Sequence, residues 1–153
     1  GGVLVIADLG IEVYRAMQRT GLSATQVIRL ATETPDGPYE HHLNPQSRPV
    51  TERARQLSLI VSSDGRNRGM CKEEIHEPLD QLQKKWCNNA RQCNSQMTPE
   101  LFRLTYEKTK MCLKYRIQIM DECFDGGDET HRSKAMEMLA NYRTCQGISV
   151  RFP

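Results

Sequence analysis

Apolar side chains recur at helical intervals along most of this chain, and turn-forming residues divide it into three zones. Residues 1–35 carry two apolar segments separated by Gly21, a pattern that predicts a helical hairpin or a helical linker. Residues 71–145 predict three longer helices, the first of which ends near Asn94 and is interrupted at Pro78. The pattern therefore predicts a mainly α-helical fold, with a bundle of three helices at its C-terminal end.

Capping residues mark the limits of the second and third predicted helices. Thr98 can cap the second helix and Pro99 suits its first position, while the Phe-Asp-Gly-Gly string ends it near Cys123. Asp128 is a good cap for the third helix, which continues to about Cys145. The second helix also carries an apolar stripe that we expect to be buried: Leu101, Leu104, Met111, Cys112, Tyr115 and Ile119.

The zone between these helical segments, residues 34–70, is rich in turn residues and poor in periodicity. Thr51 can cap a short helix. The β-branched segment 57–63 and the Asp64-Gly65 pair that follows it predict a short β-hairpin. Loops of this kind often carry the residues that perform chemistry.

Composition narrows the picture only slightly. The chain has 153 residues, 38% of them hydrophobic, and a formal net charge of +2, which suits one domain with a modest core. No apolar run is long enough to span a membrane, and no signal peptide is apparent. Because the chain begins with Gly-Gly rather than Met, we expect it to be excised from a larger parent protein.

Charge is distributed unevenly, with five arginines between residues 48 and 70 against two acids, Glu52 and Asp64. Such an excess predicts contact with the phosphates of a nucleic acid. A solvated arginine-rich loop is the equal alternative. The five arginines are Arg48, Arg53, Arg55, Arg66 and Arg68.

All six cysteines lie in the last 83 residues, and no two form a Cys-x-x-Cys pair. Structural zinc sites and thioredoxin-like sites usually need that close pair, so the pattern favours disulfides and an oxidising compartment. Folding neighbouring helices antiparallel about their turns predicts which cysteines meet, although six cysteines allow fifteen pairings. The predicted bridges are Cys71–Cys123, Cys112–Cys145 and Cys87–Cys93.

Residues 71–146 also resemble a known class of domain. The string from Cys123 through Asp128 to His131 and Arg132, preceded by Cys112-x-x-x-Arg116, resembles the cysteine-rich tail of bacterial polymorphic toxins. These domains end Rhs and PAAR effectors of type VI secretion. The resemblance implies that residues 36–153 form a toxin domain that is secreted with its parent effector, delivered into a rival bacterium and neutralised by a cognate immunity protein.

Two adjacent histidines give the first candidate for chemistry. His41 and His42, followed by Leu-Asn-Pro, resemble the His-His signature of HNH and endonuclease VII-like nuclease toxins. That resemblance implies that His41 binds a divalent metal, Mg²⁺ or Zn²⁺, while His42 is the general base that activates water. His76 and Asp80, spaced i,i+4, are the further ligands that we expect, although Pro78 between them disturbs their shared face.

A second candidate is formed by Asp128 and His131 with Arg116 and Arg132. The imidazole of His131 can act as a general base while the arginines hold a phosphate, which suits metal-independent cleavage of RNA. A structural role is the alternative, with Asp128 as a helix cap and His131 closing the cap. The sequence leaves open whether the two candidates meet in space.

These observations favour a metal-dependent nuclease that acts on the nucleic acid of a target cell. Two other functions stay open. One is an interaction module in which the disulfide-stabilised bundle binds a partner without catalysis. The other is a periplasmic hydrolase of the cell envelope, a compartment that suits disulfides better than the cytoplasm.

Overall fold

The computed structural model describes residues 39–44, 46 and 48–149, without the side chains of residues 40 and 41. The helical hairpin predicted for residues 1–35 lies outside this range. Five helices follow one another in the described residues: α1 (Tyr39–Leu43), α2 (Glu52–Leu57), α3 (Glu73–Cys87), α4 (Pro99–Cys123) and α5 (Glu129–Ser149). The mainly α-helical prediction is confirmed.

Local capping explains where several of these helices begin. The side-chain oxygen of Thr98 accepts a hydrogen bond of 3.2 Å from the backbone of Leu101, so α4 begins where the sequence predicts. Thr51 caps α2 in the same way, with a bond of 3.0 Å from Ala54. The predicted end of α4 at Cys123 is also confirmed.

Helix α3 differs from its prediction at both the proline and the end. It continues through Pro78, because Leu79 and Leu82 beside it are buried against α4 and disulfides hold both of its ends. It ends at Cys87 rather than near Asn94. Asn89 adopts a left-handed φ of 53°, a conformation that asparagine tolerates and that ends the helix.

No strand occurs in the described residues, so the predicted β-hairpin over 57–63 is wrong. The turn at Asp64-Gly65 is present, since the Ser62 backbone N–H bonds the Arg66 carbonyl at 2.9 Å. Leu59, Ile60 and Val61 are exposed in this loop. The segment has no neighbouring strand to pair with, and a turn alone does not make a ladder.

Three disulfides join the helices, and one of the three predicted bridges is correct. Cys71–Cys123 forms as predicted, whereas the other two are Cys87–Cys112 and Cys93–Cys145. The prediction kept Cys87 and Cys93 on one helix. Because α3 ends at Cys87, that residue faces α4 while the connector carries Cys93 across to α5.

Two core clusters lie between α3 and α4, and a third, which includes residues of α1, lies between α4 and α5. Leu113, Ile117 and Met120 from α4 meet Ala135 and Leu139 from α5 in this cluster. The apolar stripe of α4 is only partly confirmed. Leu104 is 65% exposed, and the first turns of α4 bury Phe102, Thr105 and Thr109 instead, since this end faces the connector and the end of α5.

Candidate functional site

Helix α1 carries the His-His pair to the end of the bundle. Its first and last residues, Tyr39 and Leu43, are buried in the core formed by α4 and α5. The edge of the Tyr39 ring packs on Tyr142 of α5, with centroids 5.6 Å apart. These two anchors fix the short helix, and they place His42 beside the last turns of α4.

His42 meets an acidic residue that the sequence analysis did not single out. Its Nδ1 atom lies 3.1 Å from Oδ2 of Asp121, and Nη1 of Arg48 lies 2.8 Å from Oδ1 of the same carboxylate. The side chains of His42 and Asp121 are 21% and 16% exposed. The three residues therefore form a partly buried His–Asp–Arg cluster that still meets solvent.

The turn between α4 and α5 supports this cluster. Gly126 has a φ of +87°, and a Cβ atom built there would lie 3.0 Å from the Arg48 guanidinium. Glycine thus satisfies both the backbone conformation and the close approach of the arginine. The Gly-Gly sequence predicts a helix–helix turn, and in the fold this turn also lies against the guanidinium of Arg48.

Arg132 joins the turn to α1 from within the protein. Its Nη2 donates a 2.6 Å hydrogen bond to the Leu43 carbonyl and its Nη1 a 3.3 Å bond to the Gly126 carbonyl. The residue is buried, which lowers the pKa of its guanidinium. Two backbone acceptors use this side chain, so Arg132 fastens the residue after His42 to the Gly126 turn.

Burial also acts on the carboxylate of the cluster. It raises the pKa of Asp121 above its usual range, and the positive charge of Arg48 is the largest opposing influence. A carboxylate facing Nδ1 favours the tautomer that carries its proton there, which makes Nε2 the basic nitrogen of His42. The arrangement can therefore supply a general base with a guanidinium beside it.

The second candidate pair forms at the start of α5. Asp128 Oδ1 lies 2.8 Å from His131 Nδ1 and accepts a 2.7 Å hydrogen bond from the His131 backbone. Burial raises the pKa of Asp128, but the hydrogen bonds from His131 outweigh it and the net pKa is lowered. The ring of His131 stacks on Phe124 at 4.1 Å. This geometry is that of a closed helix cap.

Arg116 does not complete this pair. Burial lowers the pKa of its guanidinium, and the negative charge of Glu137 on α5 opposes that shift. Arg132, the other arginine of the second candidate, is occupied at the Gly126 turn. The two candidates are connected through that turn, which lies between Asp121 and Asp128.

Of the three predicted metal ligands, the structure describes the side chains of His76 and Asp80. His76 is buried, and burial together with the positive charges of Arg68 and Arg66 lowers the pKa of its imidazole. Asp80 pairs with Lys84 at 2.9 Å. No group of three histidine, cysteine or acidic side chains converges within the described range, and the His41 side chain lies outside it. Because the side chain of His41 is not described, metal binding by His41, His76 and Asp80 stays a prediction.

Most arginines of residues 48–70 pair with acids of the same chain. Arg55 contacts Glu129 at 3.3 Å, Arg66 pairs with the buried Glu77 at 2.5 Å, and Arg68 pairs with Asp64. The exposed Arg53 lies 3.9 Å from the Met70 sulfur. Arg48 differs from them because it joins the His42–Asp121 pair.

Comparison with known proteins identifies the family to which this chain belongs. The family model described as Novel toxin 16 matches residues 66–148, just over half of the chain. The chain belongs to the Novel toxin 16 family. No curated protein and no solved structure matches it. Membership confirms the bacterial toxin class, and the matched region of this Novel toxin 16 domain includes Asp121, Asp128 and His131, whereas His42 and Arg48 precede it.

No helix in the described part of the Novel toxin 16 chain combines the length and apolar character needed to cross a bilayer. Asp121 was not predicted as a site residue, although one feature of the sequence around it indicates a role. It interrupts a run of apolar residues that includes Ile117, Ile119 and Met120, where a carboxylate needs a partner. The sequence does not show which partner that is.

Proposed function

We propose that this toxin domain is a nuclease that cleaves RNA, with His42 as its general base. The observation that carries this proposal is the contact of His42 Nδ1 with Asp121, beside Arg48. An oriented imidazole next to a guanidinium provides a proton acceptor and an anion-binding group at one place. Both are needed to attack a phosphodiester.

The proposed reaction uses the nucleophile that RNA itself carries. His42 Nε2 removes the proton of a ribose 2′-hydroxyl, and the oxygen attacks the adjacent phosphorus. The bond from phosphorus to the 5′-oxygen breaks, and that oxygen takes a proton from solvent. Asp121 holds the imidazole and stabilises its protonated form. Arg48 donates hydrogen bonds to the phosphate as negative charge develops.

Metal dependence, predicted from the His-His resemblance, stays a prediction. In that form of the reaction, water activated at a divalent ion would replace the 2′-hydroxyl, and DNA would also be a substrate. His42 keeps its role as base in both forms. A chelator and a DNA substrate therefore separate the two reactions.

The toxin class also supports proposals about delivery and partners. We expect the domain to enter a target bacterium as part of a larger effector, of the Rhs or PAAR kind, and to be neutralised by an immunity protein. Family membership supports the toxin role itself. The effector class, the route and the immunity partner belong to the proposal.

The test is cleavage of labelled RNA and of DNA of the same sequence by the purified chain, with and without chelator. Because His42 accepts the proton, we expect His42→Ala to lower RNA cleavage by at least about a hundredfold. Asp121→Asn should lower it by at least about tenfold, since the amide cannot stabilise the imidazolium. Chelator should leave RNA cleavage unchanged.

Other outcomes identify the alternatives. His131→Ala is the matched control, and cleavage that survives His42→Ala but is lost in His131→Ala would assign the base to His131. Cleavage of both nucleic acids that stops with chelator would restore the metal-dependent reaction. If a folded chain cleaves neither nucleic acid, the nuclease proposal is wrong, and the interaction module and the envelope hydrolase are left. Toxicity that appears only on export to the periplasm would identify the envelope hydrolase.

A further inference from the structure

A second surface on the bundle carries aromatic and basic groups. It is a solvent-open cleft of about 370 Å³ between α4 and α5, lined by Arg103, Tyr106, Glu107, Lys110 and Tyr142. We call it the tyrosine cleft. The rings of Tyr106 and Tyr142 form its wall, with centroids 5.7 Å apart.

The tyrosine cleft is connected to the candidate site by direct aromatic contact. Tyr142 packs against Tyr39 at 5.6 Å, and Tyr39 begins the helix on which His42 lies. The rings therefore extend from the cleft towards the helix of the proposed general base. Tyr106 is only half-buried, so part of its ring meets solvent in the cleft.

Three basic residues of α4, Arg103, Lys110 and Lys114, lie on the same side of the helix as Asp121. Arg103 precedes Asp121 by five full turns, and Lys110 precedes it by about three, at 3.6 residues per turn. Lys114 lies between Lys110 and Asp121 on the same side, about two turns before Asp121. These cations define a line of about 27 Å that ends at the His42–Asp121 pair, at a rise of about 1.5 Å per residue.

In the described range, no carboxylate forms an ion pair with Arg103, Lys110 or Lys114, whereas Arg55, Arg66 and Arg68 each have one. The Arg103 guanidinium donates a 3.4 Å hydrogen bond to the Pro99 carbonyl. Glu107 is the one acid in the lining, so positive charge exceeds negative charge in the cleft.

We infer that the tyrosine cleft binds single-stranded nucleic acid and guides it to His42. The part of Tyr106 that meets solvent can stack on a base of any sequence, and a row of cations can follow the phosphates, a combination typical of sites for a single strand. A duplex offers its phosphates but hides its base faces from Tyr106. The inference rests on the proposed nuclease function and adds the form of the substrate, an unpaired strand.

The experiment measures binding apart from cleavage. Fluorescence anisotropy of an end-labelled RNA of about eight nucleotides is followed with the His42→Ala protein, so that the strand stays intact. We expect Lys110→Glu in this background to weaken binding by at least about tenfold and to reduce its salt dependence. Tyr106→Leu should weaken binding by about five- to a hundredfold, whereas Tyr106→Phe, which keeps the ring, should bind normally.

Matched variants show whether the cleft is responsible. Lys108→Glu makes the same charge change two residues away, on a different face of α4 that borders Leu104 and Thr105, and should leave binding unchanged. Glu107→Gln removes the acid and should tighten binding. Circular dichroism confirms that each variant is folded.

Separate outcomes decide the inference and the nuclease proposal. Equal weakening by Lys108→Glu and Lys110→Glu, or equal affinity for a duplex of the same sequence, would overturn the cleft as a single-strand site. Unchanged binding in Lys110→Glu and Tyr106→Leu would also overturn the inference, and a protein partner would then be the remaining ligand for the cleft. Loss of binding in these variants supports the inference even if the wild-type chain cleaves no RNA. Absence of cleavage by itself overturns only the nuclease proposal.

Discussion

At the scale of single residues, the site depends on glycine as much as on its charged groups. Arg48 reaches Asp121 across Gly126, where any side chain would approach the guanidinium. Arg132 uses the carbonyl of the same glycine to hold α1. One residue without a side chain thus lies beneath two arginines that serve different purposes.

We expect Gly126→Ala to lower RNA cleavage by more than its loss of folding stability can account for. A φ of +87° strains any other residue, at a cost of about 1–3 kcal/mol, and the added methyl also displaces Arg48. Gly65→Ala is the matched control, because it has a φ of +79° and open space around it. Both variants should lose similar stability in urea unfolding, but only Gly126→Ala should lose RNA cleavage, by about tenfold or more. Equal activity in the two would contradict the role given to Arg48.

At the scale of helices, caps and turn residues predicted most boundaries well. Thr98 begins α4, Cys123 ends it and Asp128 precedes α5, because each of these limits depends on hydrogen bonds within about one turn. The C-terminal end of α3 was not predicted correctly. Its sequence continues with helix-compatible residues to Asn94, and the chain leaves the helix because Cys93 pairs with α5.

The cap of α5 should make stability depend on pH. Asp128 has a lowered pKa in the folded protein, so its ionised form stabilises the fold above its ordinary value of about 4. That contribution is lost as pH falls through the lowered folded value. Asp128→Asn keeps a good cap but cannot ionise, so it should be less stable than wild type at about pH 7 and approach it near pH 3.

Urea unfolding of both proteins at the two pH values measures this difference. Asp128→Ala serves as the companion variant, because it removes the cap as well as the charge and should lose about 1 kcal/mol more at either pH. A gap between wild type and Asp128→Asn that stays constant across this range would show that the Asp128 charge does not stabilise the start of α5.

At the scale of the whole molecule, three disulfides tie α3, α4, α5 and the connectors into one unit. Two of them close loops of equal length, with a sequence separation of 52 in Cys71–Cys123 and in Cys93–Cys145. They differ in place. Cys123 follows Asp121 by two residues, and its carbonyl accepts a 2.8 Å hydrogen bond from Met70, whereas Cys145 lies near Phe102 at the far end of α4.

This match in loop length allows stability and activity to be separated. Replacing both cysteines of either pair by alanine should cost about 4 kcal/mol, since chain-entropy loss depends on the length of the closed loop. Only the Cys71/Cys123 double variant should also lose RNA cleavage, by about tenfold, because it frees the end of α4 that carries Asp121. Thermal unfolding and cleavage at a temperature where both variants are folded provide the two measurements.

Peptide mapping of the oxidised chain checks the pairing itself. Fragments that join Cys87 to Cys112 and Cys93 to Cys145 are expected. A Cys112–Cys145 fragment would contradict the fold given to the connector between α3 and α4. Equal loss of cleavage in both double variants would contradict a specific link between Cys123 and the site.

The sequence by itself determined the helical class, most helix limits and the Cys71–Cys123 bridge, because caps, turns and antiparallel neighbours act over short distances along the chain. It also pointed to His42 and to Asp128 with His131. Only the tertiary structure paired His42 with Asp121, gave Arg132 two backbone acceptors and joined Cys93 to α5. These contacts connect residues that are far apart in the chain, so they depend on how the short α1 and the connector after Cys87 pack on the bundle, and local sequence preferences do not specify that packing.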